Sequence, residues 1–115
     1  MIGGTLRRGD VWWADLDPVV GHEQGRTRPV LVISTDDHLA LPSALVSVVP
    51  LTRSWLGFPS HVRLDPPEAN LSAASYAMTE QIRTVSRLRF GRRLGAVEPS
   101  TLTAVDRRLR WLLGL

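Results

Sequence analysis

The run Pro29-Val-Leu-Val-Ile-Ser34 has no polar residue between its ends, and three of its four central residues are β-branched. A strand with one wet face alternates apolar and polar residues. A run without alternation must be covered on both sides, inside a packed layer or curled into a barrel. Leu45 to Leu51 (Leu-Val-Ser-Val-Val-Pro-Leu) repeats the pattern and is its expected neighbour, with Pro50 marking a bulge or an edge near its end. A shorter apolar run with two tryptophans, Val11 to Leu16, predicts an earlier strand. His61 to Leu64 predicts a short one that Asp65-Pro66-Pro67 stops, and Ser75 to Glu80 with Ile82 to Val85 predicts a further strand or a bent pair.

Between these runs the chain is broken often. Pro18, Gly21, Gly25 and Pro29 leave no room for a regular element, so residues 18 to 29 form a long loop of the kind that carries function in small domains. Arg53 to Pro59 is a second loop. From Pro99 the period changes: Leu102, Val105, Leu109, Leu112 and Leu113 fall on one helical stripe, Pro99 suits the first turn, and Arg107, Arg108 and Arg110 lie toward the negative end of the helix dipole. Leu102, Val105 and Leu109 are expected core; Trp111 and the last leucines suit either the core or a contact with a second copy. Many short strands and one closing helix predict a mainly β domain, an SH3-like barrel or a tight sandwich with the helix across one end.

A chain of 115 residues has room for one domain, residues 1 to 115, with one core, and it must fold without disulfides because it has no Cys. Thiolate metal sites and cysteine nucleophiles go with them. No apolar run reaches the roughly 20 residues of a spanning helix, and the segment from Met1 to Arg8 lacks the apolar stretch of a secretory signal, which predicts a cytoplasmic protein that is not in a membrane. The formal charge is +3, and all fourteen basic residues are Arg. A GC-rich coding bias accounts for that choice; so does phosphate recognition, which a forked guanidinium suits. Either way the partner of a small basic domain is expected to be an anion, nucleic acid or acidic protein.

The densest polar cluster is Gly21-His-Glu-Gln-Gly-Arg-Thr-Arg-Pro29, on the long loop where it enters a buried strand. Arg28 stands where the strand holds it rigidly, and Glu23 is near enough in sequence to fold back toward it. An arginine beside a carboxylate suits phosphate chemistry, one offering donors to non-bridging oxygens and the other accepting a proton. Pro50-Leu-Thr-Arg-Ser54 is the second cluster. Thr52 alone reads as a hydrogen-bonded turn residue, but loops launched from adjacent strand ends converge in small barrels. Asp15 with Asp17, or Asp36 with Asp37, make a poor hard-metal site, and His22, His38 and His61 have no ligand-like spacing.

Five blocks in order carry a resemblance over nearly the whole chain: Arg8-Gly-Asp-Val-Trp-Trp-Ala-Asp-Leu-Asp-Pro18, Gly21 through Ile33, Val49-Pro-Leu-Thr52, Phe58-Pro-Ser-His-Val62 and Glu80-Gln-Ile-Arg-Thr84. The sequence resembles the MazF/PemK family of toxin endoribonucleases. It departs from the family pattern at Thr35, at Arg53 and in a short segment from Asp37 to Ser43, differences that bear on RNA sequence preference. The resemblance implies the SH3-like barrel with a C-terminal helix that this family shares with the CcdB gyrase poisons. It implies a homodimer, a cognate acidic MazE-like antitoxin, and cleavage of single-stranded RNA without metal or other cofactor, by 2′-OH attack leaving a 2′,3′-cyclic phosphate and a 5′-OH. Arg28 and Thr52 match the catalytic positions, with Glu23 a further candidate. Gln24, Arg26, Arg53, His61, Gln81 and Arg83 are expected to contact RNA, with Trp12, Trp13 and Trp55 available for stacking. The competing class is a non-catalytic poison that binds gyrase, and fold alone does not separate the two.

Overall fold

A computed structural model describes residues 5–23 and 25–115. Its strands are β1 (Asp10–Asp15), β2 (Thr27–Val32), β3 (Leu45–Thr52), β4 (His61–Leu64), β5 (Ser75–Met78), β6 (Arg83–Ser86) and β7 (Phe90–Ala96), with helices α1 (Asp36–Ala40) and α2 (Pro99–Leu113). All seven strands join one antiparallel sheet in the order β4-β5-β3-β2-β1-β7, with β6 also on β3. The eight-residue β3 is the hub. One edge pairs with β2; the other pairs first with β6, from Leu45 to Val48, and then with β5, at Leu51 and Thr52. Val49 and Pro50 lie in the gap between those two ladders, where a residue without an N–H is tolerated.

The unbroken apolar runs have a direct cause. Alternate residues of β2 and β3 feed two separate cores. Val30, Val32, Val46 and Val48 pack with Trp12, Ala14, Val85 and Phe90, where the Trp12 and Phe90 rings meet edge to face at 6.0 Å. Leu31, Ile33, Val49 and Leu51 pack on the opposite face with Leu64, Ala77 and two residues of α2, Val105 and Leu109. Each fully buried side chain of this size contributes ~1.5–3 kcal/mol relative to exposure, so the small sheet is held from both sides.

The expected strands form, displaced by at most two residues: His61–Leu64 is as expected, whereas the fifth strand stops at Met78, two residues early, and continues as a 3₁₀ turn over Thr79–Gln81. Two elements were not anticipated. Phe90-Gly-Arg-Arg-Leu-Gly-Ala96 has no alternation, and it pairs with β1 only through register shifts around Trp12. The short α1 starts at Thr35, whose hydroxyl accepts a hydrogen bond from His38 N at 3.1 Å. α2 has Pro99 in its first turn and ends on Gly114 in the left-handed conformation, and Arg8 ties it to the sheet through Asp106 at 2.5 Å. Val105 and Leu109 are core as expected and Leu102 is half-buried, but Leu112, Leu113 and Trp111 lie past the core and are exposed.

Candidate active site

The two catalytic candidates stand on neighbouring strands. β1 pairs Ala14 with Arg28, and the β2–β3 ladder ends at Val30 opposite Pro50, so Arg28 and Thr52 each lie two residues beyond its last pair. The Arg28 guanidinium is half-buried, its Nε donating to Gly25 O at 2.9 Å and its Nη1 to Leu51 O at 3.3 Å. These bonds fix the plane of the fork and leave Nη2 and one Nη1 hydrogen to face outward. Burial, and then the positive Arg26, push the guanidinium below its ordinary pKa, with Asp17 pulling the other way. A partly desolvated cation that ion-pairs with no carboxylate among the described residues gains from an incoming anion. The Thr52 hydroxyl accepts from Ser54 N at 3.2 Å, as a turn residue would, which leaves its own proton to donate.

The loop between β1 and β2 has its own organisation. Asp17 Oδ1 accepts from Arg26 N at 2.8 Å, and Arg26 O accepts from Leu16 N at 3.0 Å, with Arg26 at a positive φ of 65°. Gly25 is required here, because a Cβ would strike the Asp17 carboxylate. Glu23 Oε1 accepts from Val20 N at 2.6 Å, so the carboxylate braces its own turn, while Arg28 is held by backbone carbonyls. Gln24 lies outside the described residues. Gln81 and Arg83 flank this loop: Gln81 Nε2 reaches His22 O at 3.5 Å, and Arg83 Nη1 donates to Leu16 O at 3.2 Å. Asp15 and Asp17, weighed as metal ligands, accept from the backbone N–H groups of Asp17 and Arg26.

His61 needs correction as an RNA contact. Its side chain is 0% exposed, with Nε2 at 2.8 Å from Glu80 Oε2 and the Phe58 ring edge-on at 5.2 Å. Ser60 Oγ donates to the other Glu80 oxygen at 2.8 Å. Burial alone would raise the Glu80 carboxyl, but hydrogen bonds from His61 and Ser60 hold it below the ordinary carboxylate value. The cluster joins β4 to the turn after β5; His61 Nδ1 is buried without a partner among the described residues. Of the tryptophans, Trp12 is core, Trp13 is half-buried and Trp55 is exposed against Tyr76, with ring centroids 5.1 Å apart.

One group of residues escaped sequence reasoning. Beside Thr52 lies a cleft of about 440 Å³ lined by Trp13, Pro29, Leu51, Thr52 and Arg53, by residues of the 70–75 segment, and by Arg92 and Leu94 of β7. Arg53 Nη2 donates to Ser72 Oγ at 3.1 Å, and Asn70 Nδ2 donates to Leu94 O at 2.8 Å. Trp13, Thr52 and Arg53 of this lining were expected to act on RNA; the 70–75 segment, Arg92 and Leu94 were not foreseen, and their only hint in the sequence was the Arg92-Arg93 pair, in a stretch without strand periodicity.

The chain is similar to known proteins over nearly its whole length. Residues 7–113 match the family model described as PemK-like, MazF-like toxin of type II toxin-antitoxin system. Endoribonuclease EndoA of Bacillus subtilis is 36% identical over 111 residues, 96% of each chain. A crystal structure of MazF from Deinococcus radiodurans superposes with a TM-score of 0.85 at 28% identity, covering 98% of this chain and 100% of that one. An endoribonuclease solved in complex with its cognate antitoxin from a mycobacterial species gives 0.80 at 27% identity, covering 96% and 97%.

Proposed function

We propose that this chain, which belongs to the PemK-like, MazF-like toxin family of type II toxin-antitoxin systems, cleaves single-stranded RNA at short sequences by a metal-independent transesterification. The observation that carries the reading is a half-buried guanidinium that ion-pairs with no carboxylate among the described residues, oriented by two carbonyls, one of them that of Leu51, the residue before Thr52. A gyrase-binding poison has no use for that pair.

The ribose 2′-oxygen attacks the adjacent phosphorus, the P–O5′ bond breaks, the departing 5′-oxygen takes a proton from water, and the products are a 2′,3′-cyclic phosphate and a 5′-OH. Arg28 neutralises charge growing on the non-bridging oxygens, and the Thr52 hydroxyl donates to one of them. An arginine is a poor proton acceptor. Glu23 takes the 2′-OH proton instead: Val20 N fixes Oε1 and thereby orients the carboxylate on the loop. Arg26, Arg53, Gln81 and Arg83 surround these groups and hold the strand through its phosphates and bases.

Two copies of the chain form the working unit, and an acidic antitoxin of the MazE kind covers the basic surface. The mycobacterial endoribonuclease solved in complex with its cognate antitoxin and the chain's own charge of +3 support that partner. No helix among the described residues is long and apolar enough to cross a membrane, and a toxin that cuts messages acts in the cytoplasm where they are translated.

The test is incubation of purified protein with mixed-sequence RNA in EDTA, beside Arg28→Ala, with chemical analysis of the new ends. Discrete fragments with cyclic phosphate and 5′-OH ends, lost in the variant, are expected. Intact RNA, or fragments that persist in a folded Arg28→Ala protein, would overturn the reading.

A further inference from the structure

The loop between β1 and β2 is held at its root by arginine side chains from the far end of the chain. The β1–β7 ladder ends at Ala14 opposite Phe90, so the carbonyls that follow have no strand partner on that edge. A backbone carbonyl held in place needs a donor. Arg89, the half-buried residue before Phe90, supplies one: its Nη1 donates to Asp15 O at 3.2 Å and to Asp17 O as well. Arg83 of β6 donates to the carbonyl between them, Leu16 O, at 3.2 Å. Three consecutive carbonyls are thus closed by two side chains.

This root is coupled to Arg28 through one peptide group. Asp17 Oδ1 accepts from Arg26 N at 2.8 Å, and Gly25 lies so close that a Cβ would strike the same oxygen. Leu16 N donates to Arg26 O at 3.0 Å and holds the next peptide. The N–H of Arg26 and the carbonyl of Gly25 belong to a single planar unit, and that carbonyl accepts from Arg28 Nε at 2.9 Å. Where Asp17 sits therefore sets where Gly25 O points. The Arg28 backbone belongs to β2, yet one of the two bonds that fix its guanidinium comes from the loop. Without it the guanidinium would pivot on Leu51 O alone.

We propose that Arg89 is a positioning residue for Arg28, acting through Asp17 and the Gly25–Arg26 peptide. By fixing the carbonyls on either side of Leu16 it aims the Asp17 carboxylate at Arg26 N, and the same peptide then presents Gly25 O to Arg28. The inference rests on the RNA-cleaving reading above, in which the Nη donors of Arg28 must meet the non-bridging oxygens. Arg89 itself does not line the cleft beside Thr52, and its hydrogen bonds among the described residues go to these two carbonyls. A displacement of about 1 Å in a reacting group is enough to cost about 100-fold in rate, so support at this remove has catalytic weight.

The experiment uses the full chain and cleavage of mixed-sequence RNA. Arg89→Gln is expected to lower kcat about ten-fold or more while KM stays within about two-fold. Asp17→Ala, which removes the acceptor of Arg26 N at an exposed position, is expected to do the same. Arg89→Lys should recover kcat to within about three-fold of wild type, because one nitrogen serves both carbonyls and an ammonium can replace it. Added to Arg28→Ala, neither loss should lower the rate further, since a group that acts only through Arg28 then has nothing to act on. Arg107→Gln on the exposed face of α2 is the control. A second readout needs no cleavage. The Arg28 Nε–H signal, identified by nitrogen-edited NMR through its disappearance in Arg28→Ala, is expected to exchange with water several-fold faster in Arg89→Gln and in Asp17→Ala. Thermal midpoints establish folding; should Arg89→Gln fail to fold, Asp17→Ala decides alone.

In a protein that cuts RNA, an unchanged kcat or an unchanged Nε–H exchange rate in the folded variants overturns the proposal. So does a loss that multiplies with that of Arg28→Ala, or a raised KM at constant kcat, which would make Arg89 a contact for RNA. A parent protein that cuts no RNA overturns the catalytic reading instead, and the exchange of Arg28 Nε–H then decides by itself whether Arg89 holds that side chain.

Discussion

Two regions bring polar groups to the same end of the molecule by different means. Arg28 and Thr52 sit near the ends of adjoining strands, two residues beyond a ladder whose residues are among the most buried of those described. Glu23 and Arg26 lie on a loop that closes on itself through Asp17, Val20 and one glycine whose Cβ would meet the Asp17 carboxylate. The strand-borne pair inherits its geometry from the core, whereas the loop-borne groups depend on a few exposed hydrogen bonds. Chemistry that needs fixed donors belongs on the first kind of support, and recognition that must adapt to a base belongs on the second.

The sharpest way to break this contrast is Arg28→Ala, expected to lower kcat by about 1,000-fold with an unchanged fold, since one transition-state donor is commonly worth 100-fold to 1,000-fold. Single-turnover cleavage with a circular dichroism control reads it. Glu23→Gln comes next. An amide oxygen can still accept from Val20 N, so the loop brace survives while the proposed proton acceptor is lost, and a fall in kcat of about 100-fold is expected. A rate near wild type would assign Glu23 to the brace alone and leave the strand pair as the whole catalytic apparatus. Thr52→Val removes a neutral donor whose loss the guanidinium partly covers, and about a ten-fold reduction in kcat at unchanged KM is expected.

The smallest effect concerns stability and falls outside both regions. Glu80 has a folded-state pKa below its ordinary value of 4.5, so its interactions with His61 and Ser60 stabilise the fold fully above that value and fade as pH falls through the lower one. Glu80→Gln is expected to cost on the order of 1 kcal/mol near pH 7, and the gap to wild type should close in acid. Denaturant titrations at pH 7 and pH 3 measure it. A gap that persists at pH 3 would mean that shape, not charge, holds the pair.

How much of this was legible in the sequence follows from which forces set each element. Strands buried on both faces announce themselves, because nothing but apolar residues fits there, and β2 and β3 were read for that reason. α2 followed from its period and its proline. That Arg28 and Thr52 stand near the ends of adjoining strands was accessible because β2 and β3 were read as neighbours. β7 was not legible: its pairing depends on an open edge of β1, and neither glycine nor exposed arginine records that edge. His61 was misjudged for a related reason. A four-residue strand is too short for alternation to tell its two faces apart, and only the packing of Phe58 and Glu80 around the ring shows which side it takes. The cleft was invisible because three of its walls come from segments with no periodic signal.

One further consequence concerns the wall of that cleft. At Gly95 the backbone of Ala69 approaches so closely that a Cβ would stand 2.9–3.0 Å from it, and the contact is with backbone, which cannot rotate away. The segment that follows Ala69, including Asn70 and Ser72, is thus clamped to β7 by the absence of a single carbon. Evolution or an engineer has a fine adjustment screw at this position. Adding one methyl there would shift a whole side of the cavity without changing any residue that lines it, and retune what fits while the reacting groups stay where the sheet put them.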